Sequence, residues 1–179
     1  AKRALMEMLQ AYRKQYGFNG ITLIPVNLYG PGDNFHPYNS HVIAGLLNKF
    51  WEAIQHSPNK DVVVWGTGNA SREFLYVEDA AKGIVDALER YNEPDPVNLG
   101  TGQEITIRDL VNQIAKIMDF NGNIIFDSSQ PDGQMRRCLD VNKALLKFGF
   151  EAKTTFEEGL YKTIDWYCCR RMIDSVKGE

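Results

Sequence analysis

Ile21-Thr22-Leu23-Ile24-Pro25-Val26-Asn27-Leu28-Tyr29-Gly30-Pro31-Gly32 decides the reading of this chain. Its first half is an apolar run of strand length. Its second half is rich in Asn, Pro and Gly and predicts a loop beginning after Val26. Ligands of open α/β sheets gather at the carboxyl ends of strands, so such a loop is a candidate site. Alone, the Gly-Pro pair reads equally well as a plain turn.

Working outward, Lys2 to Tyr16 carries Leu5, Met8, Leu9 and Tyr12 at helical spacing and ends at Gly17. Downstream, Ser40 predicts an N-cap for a helix bearing Val42, Ile43, Leu46, Leu47, Phe50 and Ile54 on one face. Asp61–Trp65 reads as a strand closed by the turn Gly66-Thr67-Gly68-Asn69, and Glu73–Val77 as another. Ala80, Ile84, Ala87, Leu88 and Tyr91 recur at helical spacing; Val97–Leu99 and Asn123–Phe126 are short extended runs. Thr106 with Asp109, and Thr155 with Glu158, predict capping boxes for two more helices. Helix and strand patterns in alternation indicate an α/β chain.

The 179 residues, 44% hydrophobic and 24% charged with net charge −3, suit a globular fold with a real core. No Lys/Arg block points to nucleic acid. No apolar run approaches the ~20 residues that span a bilayer, and no signal-peptide pattern opens the chain. Cys138, Cys168 and Cys169 form no disulfide framework and suggest a reducing compartment. With only three histidines, no metal-ligand cluster is expected. Gly66-Thr67-Gly68 lacks the third Gly and the following helix of a dinucleotide fingerprint, and reads as a turn.

Ala1-Lys2-Arg3, the strand, and then Pro25-Val26-Asn27-Leu28-Tyr29-Gly30-Pro31 resemble the middle of an extended short-chain dehydrogenase/reductase. Further on, Asp33-Asn34-Phe35 with Ser40-His41-Val42-Ile43, and Val62-Val63-Val64-Trp65-Gly66 through Arg72-Glu73-Phe74, look like the GDP-L-fucose synthase family. The resemblance runs through essentially the whole chain. It implies the C-terminal part of such a reductase: a remnant of a Rossmann-like doubly wound sheet plus a smaller α/β substrate-binding lobe. Residues 1–30 would be the tail of the dinucleotide-binding domain, and 31–179 mainly the nucleotide-sugar lobe.

It also implies residue roles. Lys2 would be the Lys of a Tyr-x-x-x-Lys motif whose Tyr lies four positions earlier, outside these residues; its ammonium would lower the phenol's pKa and hydrogen-bond the nicotinamide ribose of NADP(H). Pro25, Val26, Asn27 and Leu28 would lie beside the cofactor, with Asn27 also reaching the sugar nucleotide. His41, at a helix start, would be the acid partner in epimerisation at two sugar carbons and would also lie near the cofactor. Lys49, Trp65, Arg72 and Asp132 would meet the GDP-sugar, with Asp132 pairing its carboxylate to the guanine N–H groups. Lys49 stands where many relatives carry Arg, and Gln130 replaces a usual Lys before Pro131-Asp132-Gly133. Arg136 and Arg137 are further candidates for the diphosphate, and His36 and His56 read as surface residues.

The implied activity is conversion of GDP-4-keto-6-deoxy-D-mannose to GDP-L-fucose, by epimerisation and then NADPH reduction, in a cytoplasmic homodimer paired through Lys2–Tyr16. These residues alone, without the Tyr and the Gly-rich loop, are expected not to turn over. Taken singly, Lys49 also reads as a solvated lysine, Trp65 as a core side chain, and Arg72 as an ion-pair partner of Glu73. Another nucleotide-sugar epimerase or dehydratase, or a non-catalytic nucleotide-sugar-binding lobe, are the other readings.

Overall fold

The computed structural model describes residues 1–56 and 61–177. Helix α1 (Lys2–Tyr16) leads to strands β1 (Leu23–Pro25) and β2 (Asn27–Tyr29), then α2 (Val42–His56), β3 (Val62–Trp65), β4 (Ser71–Tyr76) and α3 (Val77–Arg90). There follow β5 (Val97–Leu99), β6 (Glu104–Thr106), α4 (Ile107–Ile117), β7 (Ile124–Asp127), β8 (Arg136–Arg137), α5 (Asn142–Phe148) and α6 (Phe156–Lys177). The side chain of His56 lies outside the described residues.

The opening stretch changes partners along its length. β1 pairs in parallel with β5, from Leu23 opposite Val97 to Pro25 opposite Leu99. The Val26 amide still donates to Leu99 at 2.9 Å. One residue later β2 pairs in parallel with β4, Asn27 opposite Phe74 and Tyr29 opposite Tyr76. The expectation of a loop directly after Val26 is therefore corrected: Asn27–Tyr29 is strand, because a ladder from a remote segment outweighs the local turn signal. The turn begins at Gly30, where a Cβ would collide with Val77.

β4 is the hub, holding β2 and β8 in parallel and β6 antiparallel. β3 and β7 form a separate parallel pair. One core joins α2, α4 and α6 around β3 and β4, with Leu47, Phe50, Leu110, Ile114 and Leu160 fully buried. A second joins Val26, Leu75, Val97 and Leu99 to α3 and α5. The buried stripe of α3 is Ala80, Gly83, Asp86 and Ala87. Ile84 and Leu88, which share the helical spacing, are exposed.

Local signals place several helix ends. Gly17 closes α1 in the left-handed region at φ 65°. The Thr106 hydroxyl oxygen accepts from the Asp109 amide at 3.0 Å, and Thr155 accepts from the Glu158 amide at 3.2 Å. At α2 the start lies one residue later than the Ser40 cap predicts: the His41 carbonyl takes the first helical bond, from Gly45 at 2.8 Å. β6, β8 and α5 carry too short a pattern to be read from sequence.

Candidate functional site

The alternation of β4 separates two neighbours with different work. Successive strand side chains point to opposite faces. Glu73 goes inward and is fully buried. Its carboxylate accepts from the amides of Thr101 at 2.6 Å, Gly102 at 2.8 Å and Leu139 at 2.7 Å. It thereby ties two remote loops to β4, and its carbonyl accepts from Asn27 Nδ2 at 2.9 Å. Arg72 goes the other way; its guanidinium donates to the Ser71 carbonyl at 2.7 Å and lines a cavity. The Arg72–Glu73 ion pair that adjacency suggests is not how either residue is used.

That cavity, of about 540 Å³, brings together Asn27, His41, Lys49, Trp65, Arg72 and Asp132. Leu28 contributes an apolar wall. Asn27 and Leu28 arrive from β2, His41 and Lys49 from the first turns of α2, Trp65 from the end of β3, and Arg72 from β4. Pro25, Val26 and Lys2 are not among the lining residues. Pro25 is spent on the pairing with β5 and Val26 is buried in the second core. Lys2 is exposed at the start of α1, a helix with no buried residue.

Lys49 and Trp65 form a unit. The ammonium donates to the Val63 carbonyl at 2.8 Å and lies 5.5 Å from the Trp65 ring centroid. Burial pushes the Lys49 amine below its ordinary range. Trp65 is 69% exposed, so it offers its ring to the cavity and does not fill the core. Opposite, Asp132 accepts from the Thr67 amide at 2.7 Å and from the Thr67 hydroxyl at 2.8 Å. These bonds, side chain first, hold its carboxyl below the usual carboxylate range, with help from the Gly68 amide and Arg72. Gly66 is required at the contact: φ is 84°, and a Cβ would strike the Asp132 carboxylate.

Both Asp132 oxygens thus have a protein partner that the sequence reading missed. The Pro-Asp-Gly turn and the Gly-Thr-Gly turn were each legible; their contact across 65 residues was not. Arg136, a diphosphate candidate, is bound by Glu104 instead, with Nε donating to Oε1 at 2.8 Å. His36 is exposed at the surface. The loop before α2 is braced by Asn34, which donates to Asn39 Oδ1 at 3.0 Å, and by Asn48, which donates to the Phe35 carbonyl at 2.6 Å.

Chemically, the cavity sets two cations and an aromatic face near an imidazole at a helix start. The cations suit an anionic phosphate, the ring suits a planar or sugar moiety, and the imidazole can exchange a proton. Among the described residues, no group of His, Cys, Asp and Glu could hold a metal ion.

The sequence profile of the NAD dependent epimerase/dehydratase family matches residues 1–100. GDP-L-fucose synthase 1 of Arabidopsis thaliana is 45% identical over 167 residues, covering 93% of this chain and 51% of that protein. GDP-L-fucose synthase of Escherichia coli K12 is 42% identical over 177 residues, covering 93% and 54%. The crystal structure of a GDP-L-fucose synthetase from Naegleria fowleri bound to NADP superimposes with a TM-score of 0.87 at 31% identity, over 96% of this chain and 55% of that one. The chain spans about half the length of the curated relatives it matches.

Proposed function

Because the chain belongs to the NAD dependent epimerase/dehydratase family, we propose that it forms the nucleotide-sugar-binding side of a GDP-L-fucose synthase. The whole protein would convert GDP-4-keto-6-deoxy-D-mannose to GDP-L-fucose. The observation that carries this reading is the convergence of Asn27, His41, Lys49, Trp65 and Arg72 on one cavity from four separate elements.

Lys49 and Arg72 hold the diphosphate, Lys49 as a point charge and Arg72 through its fork. Trp65 packs against the ring they position. Asn27 has one amide nitrogen committed to Glu73, which fixes its orientation toward the sugar. His41 gives a proton to the sugar carbon during epimerisation, once a base on the opposite face of the ring has taken that carbon's original proton. Asp132 keeps the Gly66–Gly68 turn in place beside Arg72, and through that turn shapes the base end of the site. Its guanine-pairing role would have to share oxygens already used by Thr67.

For the cofactor, Asn27, Leu28 and His41 fit a nicotinamide: an amide, an apolar face and an imidazole beyond the carboxyl end of β1. NADPH, when bound, supplies the hydride for the reduction. Residues 1–30 close the dinucleotide-binding domain in this reading, 31–179 form mainly the sugar-nucleotide lobe, and β5 returns to pair with β1. The protein acts in the cytoplasm as a homodimer, and the Leu5, Met8 and Tyr12 face of α1, exposed here, meets its counterpart.

Calorimetric titration with GDP and UDP tests the reading. GDP should bind at least about tenfold more tightly, and Arg72→Ala should cost about tenfold or more. Equal affinity for the two nucleotides would move the assignment to another nucleotide-sugar epimerase.

A further inference from the structure

Two carboxylates are buried among the described residues, and they are satisfied in different ways. Asp86 on α3 has Lys82 and Arg90 beside it, one turn away on either side. Glu73 has no exposed surface and, among the described residues, no Lys or Arg within ion-pair distance. Its charge is met by backbone amides: Oε1 accepts from Thr101 and Gly102, and Oε2 accepts from Leu139. The turn after β5 is shaped for this carboxylate. A Cβ on Gly100 would strike Glu73 Oε1, and Gly102 sits in the left-handed region at φ 69°. Two successive amides aimed at one oxygen make an anion-binding nest, here filled by the protein's own side chain.

Burial of a carboxylate is unfavourable, and even a well-bonded one adds little net stability over a neutral core. The place of Glu73 in the fold shows what its charge can do instead. Arg72 and Phe74, its neighbours in the chain, both line the cavity, and its own carbonyl holds Asn27 Nδ2. β4 also changes its parallel partner at this residue. Ser71 and Arg72 pair with β8, whereas Phe74 to Tyr76 pair with β2. Neither parallel ladder includes position 73. Glu73 stands in for the missing rung: its side chain grips the chain just after β8 through Leu139, while its carbonyl grips the start of β2 through Asn27.

We propose that the Glu73 carboxylate is a positioning residue for nucleotide binding: without touching the ligand, it sets where β4 presents Arg72 to the diphosphate. The inference rests on the reading that the cavity holds a nucleotide diphosphate through Arg72. It is specific to the ionised side chain. A carboxylate accepts all three amides, whereas the terminal amide of glutamine has one acceptor oxygen and turns its N–H groups toward the remaining donor. In Glu73→Gln either the Thr101–Gly102 nest or Leu139 is released, and β4 loses its hold beside Arg72.

The test is a double-mutant cycle on the whole protein, with GDP binding read by calorimetric titration well below each variant's melting temperature. Glu73→Gln should weaken GDP about tenfold in the parent. In Arg72→Ala it should weaken GDP less than about twofold, because the contact it sets is already gone. Gly100→Ala displaces the carboxylate from a residue outside the cavity and should weaken GDP about threefold, again only when Arg72 is present. A lowered melting temperature with unchanged GDP affinity would make Glu73 a structural residue only and overturn the proposal. So would equal losses with and without Arg72, or failure of both variants to fold. UDP can replace GDP throughout, because the diphosphate is common to both. If the parent binds neither nucleotide, the reading of the cavity fails and this inference with it. If the parent binds one of them and the cycle shows no coupling, only the role of Glu73 fails.

Discussion

Helices α1 and α4 have the same kind of sequence and opposite fates. Both are amphipathic, yet α4 fully buries Leu110, Val111 and Ile114, whereas α1 buries nothing and leaves Leu5, Met8, Tyr12 and Tyr16 more than half exposed. What anchors α1 is mostly polar: Arg13 donates to the Gly20 carbonyl at 2.8 Å and to Asn92 Oδ1 at 2.9 Å. An apolar stripe says that a face is to be covered. It does not say by what, and here the same pattern serves an internal core in one case and a face open to a partner in the other.

The sharpest way to break this contrast is truncation on each side. Ile114→Ala should cost about 3 to 4 kcal/mol in urea unfolding, through lost transfer energy and a residual cavity. Leu5→Ala should cost no more than about 0.5 kcal/mol in the separated subunit, where its side chain is already in water. If the two losses match, α1 is part of the core after all. Leu5→Ser with Met8→Ser should instead abolish self-association in sedimentation of the whole protein; an unchanged mass would rule out α1 as the dimer face.

Next in size is Glu73→Gln. The side chain keeps its volume but loses an acceptor for one of three backbone amides, at about 2 kcal/mol. The loss should appear as faster hydrogen exchange at Thr101, Gly102 and Leu139, with α1 unaffected. Smaller again is Thr106→Ala, about 1 kcal/mol through the lost cap of α4. At α1 the cap position is already Ala1, which makes no side-chain cap bond, so that helix has no such contribution to lose.

The smallest effect is titration. The carboxyls of Glu104, Asp127 and Asp132 are all held low by hydrogen bonds. A depressed folded value stabilises the protein above the unfolded value near ~4 and loses that contribution as pH falls through the folded value. Thr67→Val should raise the Asp132 titration toward the ordinary range, read by carboxyl carbon NMR. An unmoved midpoint would mean that the hydroxyl is not the main cause.

Particular residues show how far the chain could be read without coordinates. Gly17 as a left-handed cap, Thr106 and Thr155 as N-caps, and the apolar stripe of α2 follow from interactions within a few residues, so sequence spacing contains them. The cluster Asn27, His41, Lys49, Trp65, Arg72 was legible only through resemblance. Each residue alone admits a bland role, and nothing local ties position 27 to position 72. Lys2 and Pro25, read into the same site, stand apart from the cavity in this structure because their surroundings are α1 and the β1–β5 pairing.

Periodicity, caps and turns act over one or two turns of chain, so the α/β alternation and several helix ends were already present in the sequence, as was the family through its motifs. Folding alone settled that Asn27–Tyr29 is strand, that Arg72 and Glu73 serve opposite faces, and that Thr67 occupies Asp132. Those outcomes are set by which remote backbone or side chain arrives alongside, a matter of loop closure and packing over tens of residues that no local pattern encodes.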